Sequence, residues 1–376
     1  MRKLLFAPLF LLMLPLQAQE KNALRPVTQL IELNRDSTLT RKEKWRESRN
    51  IFVRFIRAFD EYDTCYIEPN RYKWTAMMQG TTTYENLIIR DEGSQSKLSF
   101  SSKPGMAVGP YIGWGPIFLG YTVDVTTLGK EKRNKTELEL SLYSNMLGAD
   151  LFYRRTGSDF SLKRGSSIGN KIDMTPYYNK EIKGIRLSTT GVNAYYIVNH
   201  KHFSLPAAFS QSTVQRISSG SWKFGLSITK HSLKFDLNEV AKVIPELKEN
   251  NPFKSADMKY MDYSLSAGYA YNWVFAHNWL LSIDLAPSIG YKRTHRSLWY
   301  DEETKKDFIQ REFVSRGNIN FDVTGRFGIV WNNAHHYAGM SIVAHNFNYH
   351  YKDLSMHNTF FTLNLYAGLN FIRKKG

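Results

Sequence analysis

The chain has 376 residues, a net charge of +16, one cysteine and 14% aromatic residues. The single cysteine, Cys65, excludes an internal disulfide and is interpreted as a small apolar filler rather than a nucleophile. The basic excess is not accompanied by a nucleic-acid recognition motif, so we expect no nucleic-acid partner. It leaves two interpretations open: cations near a membrane rim that bind lipid phosphates, and cations on solvated loops. The second is favoured.

Residues 1–18 have the pattern of a secretory signal peptide. A basic head precedes an apolar run over residues 4–16, and Ala18 offers a small residue for cleavage. An N-terminal anchor is the alternative, but it requires a longer apolar run. No later stretch approaches about 18 consecutive apolar residues. A membrane location therefore requires a closed β-barrel, because lipid satisfies no backbone polar group.

Residues 19–39 show no consistent period and predict a tether. From residue 40 to residue 61 the period becomes helical, with Trp45, Phe52 and Phe55 on one face and basic residues around the rest. Two interpretations are open for this amphipathic helix. It either lies on an anionic membrane surface or packs on the periplasmic mouth of the barrel as a plug. We favour packing on the mouth of the barrel.

From residue 62 onward, apolar and polar side chains alternate along long segments. In the clearest case Leu281, Ile283 and Leu285 alternate with Ser282 and Asp284. Successive side chains of a strand point to opposite faces, so each segment is a ribbon with one apolar and one polar face. Long two-faced strands in an exported chain predict an antiparallel transmembrane β-barrel over residues 62–376.

Thirteen segments read as strands. In chain order they are 73–80, 84–90, 105–114, 117–127, 135–144, 147–156, 186–199, 214–230, 260–273, 280–293, 312–331, 337–351 and 359–371. Single-chain bacterial barrels have even strand numbers, so we expect one segment to be wrong or split. The prediction is about 12 strands, with 10 to 14 allowed.

Aromatic residues gather near the predicted strand ends, where an amphipathic ring suits the headgroup depth of a membrane. The predicted membrane-interface aromatics are Trp273, Trp279, Tyr291, Trp331 and Tyr337.

Charged residues recur on the polar faces of the strands and predict a polar network inside the lumen. The candidates are Asp124, Asp284, Asp322 and Arg326. Such charges either line an aqueous path or pair with each other and close it. About 12 strands enclose a narrow lumen, so a blocked or narrow barrel is favoured over a general porin.

Catalytic chemistry has weaker support. His295 and Ser297 stand two apart and share a face, as a serine hydrolase built on a barrel would require, but a polar strand end is the favoured interpretation. His200 with His202, and the pair 335–336, each offer two metal ligands without a third fixed by spacing. We therefore predict no metal and no cofactor, and we favour a non-enzymatic protein.

Three motifs resemble one protein family. They are residues 62–64 with 66–70 (Tyr-Asp-Thr, then Tyr-Ile-Glu-Pro-Asn), residues 119–124 (Leu-Gly-Tyr-Thr-Val-Asp), and residues 365–371 (Leu-Tyr-Ala-Gly-Leu-Asn-Phe). They look like the domain-of-unknown-function family forty-four twenty-one of Bacteroidetes-type bacteria, over roughly Phe52 to the C-terminus. The resemblance implies an outer-membrane β-barrel of unassigned function and carries no catalytic residues. The chain departs from a common outer-membrane pattern by ending on Gly376 rather than on an aromatic residue.

The expected function is that of a non-enzymatic outer-membrane barrel, serving as an envelope structural, anchoring or narrow transport element. The alternative is an outer-membrane barrel hydrolase acting on lipid or peptide. Expected partners are outer-membrane lipids including lipopolysaccharide, the barrel-insertion machinery, and a periplasmic or surface protein.

Overall fold

The computed structural model describes residues 62–91, 96–114, 117–120, 123–127, 136–156, 160–166, 173–245, 255–300, 319–351 and 354–374. The chain divides into two units, Met1–Glu61 and Tyr62–Gly376, and the described residues all belong to the second. The signal peptide, the tether and the amphipathic helix predicted at 40–61 lie outside the described residues.

The described part of the chain is built almost entirely from strands. These are β1 Ile67–Pro69, β2 Tyr72–Asp91, β3 Ser96–Ser102, β4 Gly105–Trp114, β5 Ile117–Gly120, β6 Val123–Asp124, β7 Thr136–Tyr143, β8 Leu147–Thr156, β9 Phe160–Ser166, β10 Glu181–Ile182, β11 Ile185–Ile197, β12 Thr213–Gln215, β13 Ser219–Phe235, β14 Ser255–Ala276, β15 Trp279–Tyr300, β16 Ile319–Asn332, β17 His336–Tyr351 and β18 Leu354–Arg373. Two short helices, α1 Pro206–Phe209 and α2 Leu237–Ala241, lie in connections.

Twelve of the strands form a closed antiparallel ring. Its order is β2-β18-β17-β16-β15-β14-β13-β11-β8-β7-β5-β4, and pairing between β4 and β2 closes it. The predicted twelve-stranded barrel is confirmed. Thirteen segments were expected because 73–80 and 84–90 were read as two strands, whereas they form the single strand β2. The predicted segment 214–230 is also wrong in part, since its first residues belong to β12, outside the ring.

The outer surface of the ring is apolar and its interior is polar over much of its height. On β14 the exposed side chains include Tyr263, Leu265 and Tyr269, whereas Asp262 and Ser264 are buried. The alternation of apolar and polar residues in the sequence therefore produces an apolar outer face and a polar inner face.

The two ends of the barrel differ in their connections. Short turns at His277–Asn278 and Asn333–His335 join strands at the end where β2 begins and β18 finishes. The connections from β13 to β14 and from β15 to β16, residues 236–254 and 301–318, lie at the opposite end. Two connections depart from this pattern: residues 198–218 between β11 and β13 lie at the first end, and residues 352–353 between β17 and β18 lie at the opposite end. We name these the short-turn end and the long-connection end.

Tryptophans mark the short-turn end. All six tryptophans with described side chains lie close to this end on the outer or half-exposed surface: Trp74, Trp114, Trp222, Trp273, Trp279 and Trp331. Trp279 and Trp331 are cross-strand partners, as are Trp74 and Trp114. This arrangement has the form of an interfacial aromatic girdle.

Tyr337 is not part of this girdle, and its prediction as a membrane-interface residue is wrong. Its side chain is 2% exposed and packs inside the barrel against Ala208 and Tyr366. The turn between β16 and β17 reverses the alternation, so Tyr337 pairs with the inward Asn332 while Trp331 pairs with the outward Ala338.

The apolar belt has an upper boundary toward the long-connection end. Tyr263 and Tyr291 are cross-strand partners there, and the outward residues beyond them include Lys230, Lys234 and Arg293. From Tyr263 to Trp273 β14 supplies 11 residues, close to the roughly 9–11 residues with which a tilted strand crosses a bilayer. None of the described helices has the length and apolar character needed to cross a membrane.

Placing a cation in the middle of the belt is expected to destabilise the barrel. Leu285 lies midway between Trp279 and Tyr291 on β15 and is 56% exposed on the outer face. Its replacement by Arg should lower the free energy of unfolding in lipid vesicles by about 2–4 kcal/mol. Ser232→Arg is the matched control, because Ser232 faces outward beyond the belt. Urea titration followed by tryptophan fluorescence measures both, and equal losses in the two variants would contradict a lipid-facing belt.

Candidate functional site

The connection between β11 and β13 folds into the lumen at the short-turn end. We name residues 198–218 the plug. Its helix α1 buries Ala207 and Ala208 against inward side chains of the wall, including Leu280, Val330 and Tyr366. Residues from wall strands β15, β16 and β18 thus surround the helix, and the plug fills this end of the barrel.

Hydrogen bonds to Tyr366 and to Asn272 fix the plug to the wall at two places. The Tyr366 hydroxyl donates to the Ala208 carbonyl at 3.1 Å and accepts from Gln211 Nε2 at 2.8 Å. Asn272 Nδ2 on β14 donates to the Ser204 carbonyl at 2.8 Å and to Gln215 Oε1 at 3.1 Å. Because each bond satisfies a buried polar group, the plug is a built part of the interior rather than a loosely packed loop.

A second set of contacts joins the plug to the segment that precedes the barrel wall. Strand β1 pairs with β12 of the plug, with Glu68 opposite Val214. Arg216 Nε donates to Glu68 Oε2 at 2.8 Å, and the Asp63 amide donates to the Lys201 carbonyl at 2.8 Å. The motif at residues 62–70 is therefore the partner strand of the plug.

A buried charged layer lies in the lumen beyond the plug. Lys223 on β13 forms an ion pair with Asp284 on β15, and the two side chains are 6% and 1% exposed. Arg326 Nη2 on β16 donates to Asp150 Oδ2 on β8 at 2.8 Å, across the lumen. Arg326 Nε also lies 4.0 Å from Asp284 Oδ2, so one network ties β8, β13, β15 and β16 together.

A second ion cluster centres on Lys292, whose side chain is 1% exposed. Lys292 Nζ lies 3.0 Å from Asp322 Oδ2 and 3.6 Å from Asp262 Oδ2, and it donates to the backbone carbonyl of Asn348. The backbone N–H of Asn348 donates to Asp322 Oδ1 at 2.7 Å, and Ser264 Oγ donates to Asp262 Oδ1 at 2.8 Å. These bonds offset the large desolvation cost of burying three charges.

The structure brings three of the four predicted network residues into these clusters. Asp284 and Arg326 are cross-strand partners, and Asp322 belongs to the cluster around Lys292. Asp124 lies in β6 opposite Ala107, and its side chain is outside the described residues. The sequence prediction missed four further charged residues of these clusters: Asp150, Lys223, Asp262 and Lys292. They alternate with outward apolar residues such as Trp222, and this alternation marks them as inward.

A cavity of about 100 Å³ lies in the middle of the lumen between these charges. Glu85 on one side accepts from Thr156 Oγ1 at 2.6 Å and from Asn358 Nδ2 at 2.9 Å. Arg154 on another side stacks its guanidinium over Phe360, 3.8 Å from the ring centroid. The charges that line the cavity are thus engaged with protein groups.

An apolar cluster fills the lumen toward the long-connection end. It joins inward side chains of wall strands, including Leu87, Phe235 and Tyr260, with Phe100 of β3 and with Val240 and Ile244 from the connection after β13. Apolar side chains packed across the lumen exclude water at this level. From one end to the other, the lumen therefore holds the plug, the charged layer and this apolar cluster.

The remaining candidates either have side chains outside the described residues or lie at the short-turn end. Ser297 lies in β15 opposite Met258, His295 lies at a register shift of the same strand, and both side chains are outside the described residues. Hydrolysis by this pair stays a prediction. His202 Nδ1 lies 3.1 Å from Asn199 Oδ1 at the short-turn end, and the His335 and His336 rings contact each other in a turn. Within the described ranges no three His, Cys, Asp or Glu side chains have the spacing of a metal site.

The sequence matches a family model, described as Domain of unknown function (DUF4421), over residues 61–371. The chain belongs to this family. The match spans β1 through β18, so the family unit comprises both the barrel and the plug. No curated protein matches the sequence.

Solved structures with a similar strand arrangement include three bacterial proteins. The outer membrane protease OmpT of Escherichia coli has 8% identity and a TM-score of 0.37, covering 81% of this chain and 98% of its own. The outer membrane protein OprG of Pseudomonas aeruginosa has 8% identity and a TM-score of 0.25, covering 81% and 98%. The toluene transporter TodX of P. putida has 8% identity and a TM-score of 0.20, covering 80% and 91%.

Removing one member of the buried Lys223–Asp284 pair is expected to destabilise the barrel strongly. Lys223→Met leaves a buried carboxylate with less compensation and should cost about 3–5 kcal/mol in unfolding free energy. The double variant Lys223→Met/Asp284→Leu should recover most of this loss, because it removes both charges. Urea unfolding in detergent micelles compares the two, and a double variant no more stable than the single one would contradict the pairing.

Proposed function

We propose that the protein is an outer-membrane β-barrel that does not conduct solutes and serves as a structural or anchoring element of the envelope. The apolar belt, bounded by the tryptophan girdle and by Tyr263 with Tyr291, supports placement in a bilayer. Bacterial barrels have short periplasmic turns and longer external connections, so we place the short-turn end in the periplasm. The N-terminal signal peptide expected from residues 1–18 agrees with export.

The observation that carries this proposal is the filling of the lumen at three levels. The plug occupies the periplasmic end, ion pairs such as Arg326–Asp150 bridge the middle, and the cluster around Phe100 and Tyr260 occupies the outer end. A porin requires a continuous water column, and the plug and the apolar cluster each interrupt it.

The hydrolase alternative has no comparable support among the described residues. A barrel hydrolase needs a nucleophile, a base and an orienting group within hydrogen-bond distance of one another near an accessible rim. The titratable groups that the structure does gather are buried in the lumen and paired with each other. Their arrangement joins wall strands to one another and does not present these groups to an external substrate.

Planar-bilayer recordings test the closed lumen. The mature protein should give no stepwise currents, and a variant lacking residues 40–61 should also be silent, because the unit from Tyr62 onward fills its own lumen. A heat-dependent change in gel mobility of the same samples verifies that the barrel has folded and inserted. Stepwise currents from the intact protein would contradict the proposal, and currents from the deletion variant alone would assign the seal to residues 40–61.

A further inference from the structure

A group of cations covers one outer wall of the barrel just beyond the apolar belt. Its members lie on β8, β11, β13, β14 and β15, which are consecutive in the ring. We name this group the basic wall: Arg155, Arg186, Lys230, Lys234, Lys259 and Arg293.

The position of the basic wall is set by strand register. Lys230 stands two residues beyond Ile228, the partner of Tyr263 at the edge of the belt. Arg293 likewise stands two residues beyond Tyr291 on β15. The cations therefore begin at the first outward position past the aromatic boundary, which is the depth of lipid headgroups if the belt lies in a bilayer.

Three cations of the basic wall, Arg186, Lys230 and Lys234, lie close to one another in the strand register. Arg186 and Lys234 are direct cross-strand partners, an arrangement that is unfavourable for like charges without an anion between them. Among the described residues, Arg186, Lys230 and Lys234 form no ion pair. Asp257, opposite Lys234, is the one carboxylate among the described outward residues of this patch.

Other parts of the outer surface differ at the corresponding positions. Beyond the apolar residues of β17 and β18 the outward side chains include the uncharged Asn346, Asn348 and Thr359. Arg90 and Lys97 form a smaller cross-strand pair on β2 and β3. The concentration of six cations is therefore a local feature and not a uniform result of the net charge of +16.

We propose that the basic wall binds the phosphate groups of an anionic glycolipid in the outer leaflet. This rests on the proposed function, since it requires the belt to lie in the membrane. Lys and Arg form short, charge-assisted hydrogen bonds with phosphate oxygens, and the acyl chains would lie on the exposed Val192 and Phe224 of the same wall. Each Lys or Arg near an anionic lipid surface contributes roughly fivefold to binding.

The test compares the full mature protein with Arg186→Gln/Lys230→Gln/Lys234→Gln in detergent micelles. Both are titrated with lipid A, an acylated disaccharide carrying two phosphates, and with its dephosphorylated form. The triple variant should bind lipid A about 100-fold more weakly, and the dephosphorylated lipid should bind weakly to both proteins. The matched control Arg90→Gln/Lys97→Gln removes a cross-strand basic pair elsewhere and should bind like the wild type.

Three results would overturn the proposal: triple-variant binding within twofold of the wild type, equal binding of dephosphorylated lipid, or displacement of lipid A by an equal concentration of inorganic pyrophosphate. The last result would mean that the basic wall binds free anions rather than a lipid. The heat-dependent gel shift is recorded on the same samples. A wild type without the shift that fails to enter phospholipid vesicles contradicts the membrane placement itself, whereas a shifted protein indifferent to phosphate contradicts the lipid site alone.

Discussion

Closure of the sheet is the constraint on which the rest of this structure depends. An open sheet in lipid would leave backbone donors and acceptors at its edges without partners, so the pairing of β2 with β4 is needed for the proposed membrane location. Closure also turns one face of every strand inward, where side chains must pack or pair. The apolar exterior and the charged interior are two results of the same geometric requirement.

Three kinds of contact fill the interior: polar contacts of the plug, ion pairs and apolar packing. At the short-turn end a piece of backbone, the plug, is bound through its own polar groups, for example by Tyr366 and Asn272. In the middle, charges neutralise one another across the lumen, and beyond them apolar side chains pack as in a soluble core. A buried ion pair contributes little net stability compared with apolar packing, but it penalises any register in which one charge loses its partner.

Much of the wall could be predicted from the sequence, because alternation is local information. The segment 147–156 was predicted with the bounds that β8 has, and the inward positions of Asp284 and Arg326 followed from the period of two. The interior was harder because pairing depends on register between strands far apart in sequence, as between Arg326 and Asp150. The plug was missed because Val214 continues an alternating pattern into β13, and nothing in that pattern shows that β12 leaves the wall to pair with β1. The prediction for Tyr337 was wrong for a related reason, because the turn between β16 and β17 changes the face on which odd-numbered residues lie.

The pairing of β1 with β12 bears on the order in which the chain can fold. Strand β1 precedes the whole wall, and β12 lies between the sixth and seventh wall strands in chain order, β11 and β13. The last wall strand, β18, supplies the Tyr366 hydroxyl that binds the plug. A barrel wall that closes first and binds the plug afterwards is therefore not an expected folding intermediate. The lumen contents and the wall must therefore form together. The pairing of the first wall strand, β2, with the last, β18, is a late event that joins residues such as Thr75 and Asn370. Contacts between such distant parts of a chain slow folding, so this barrel depends on a slow, coordinated final step.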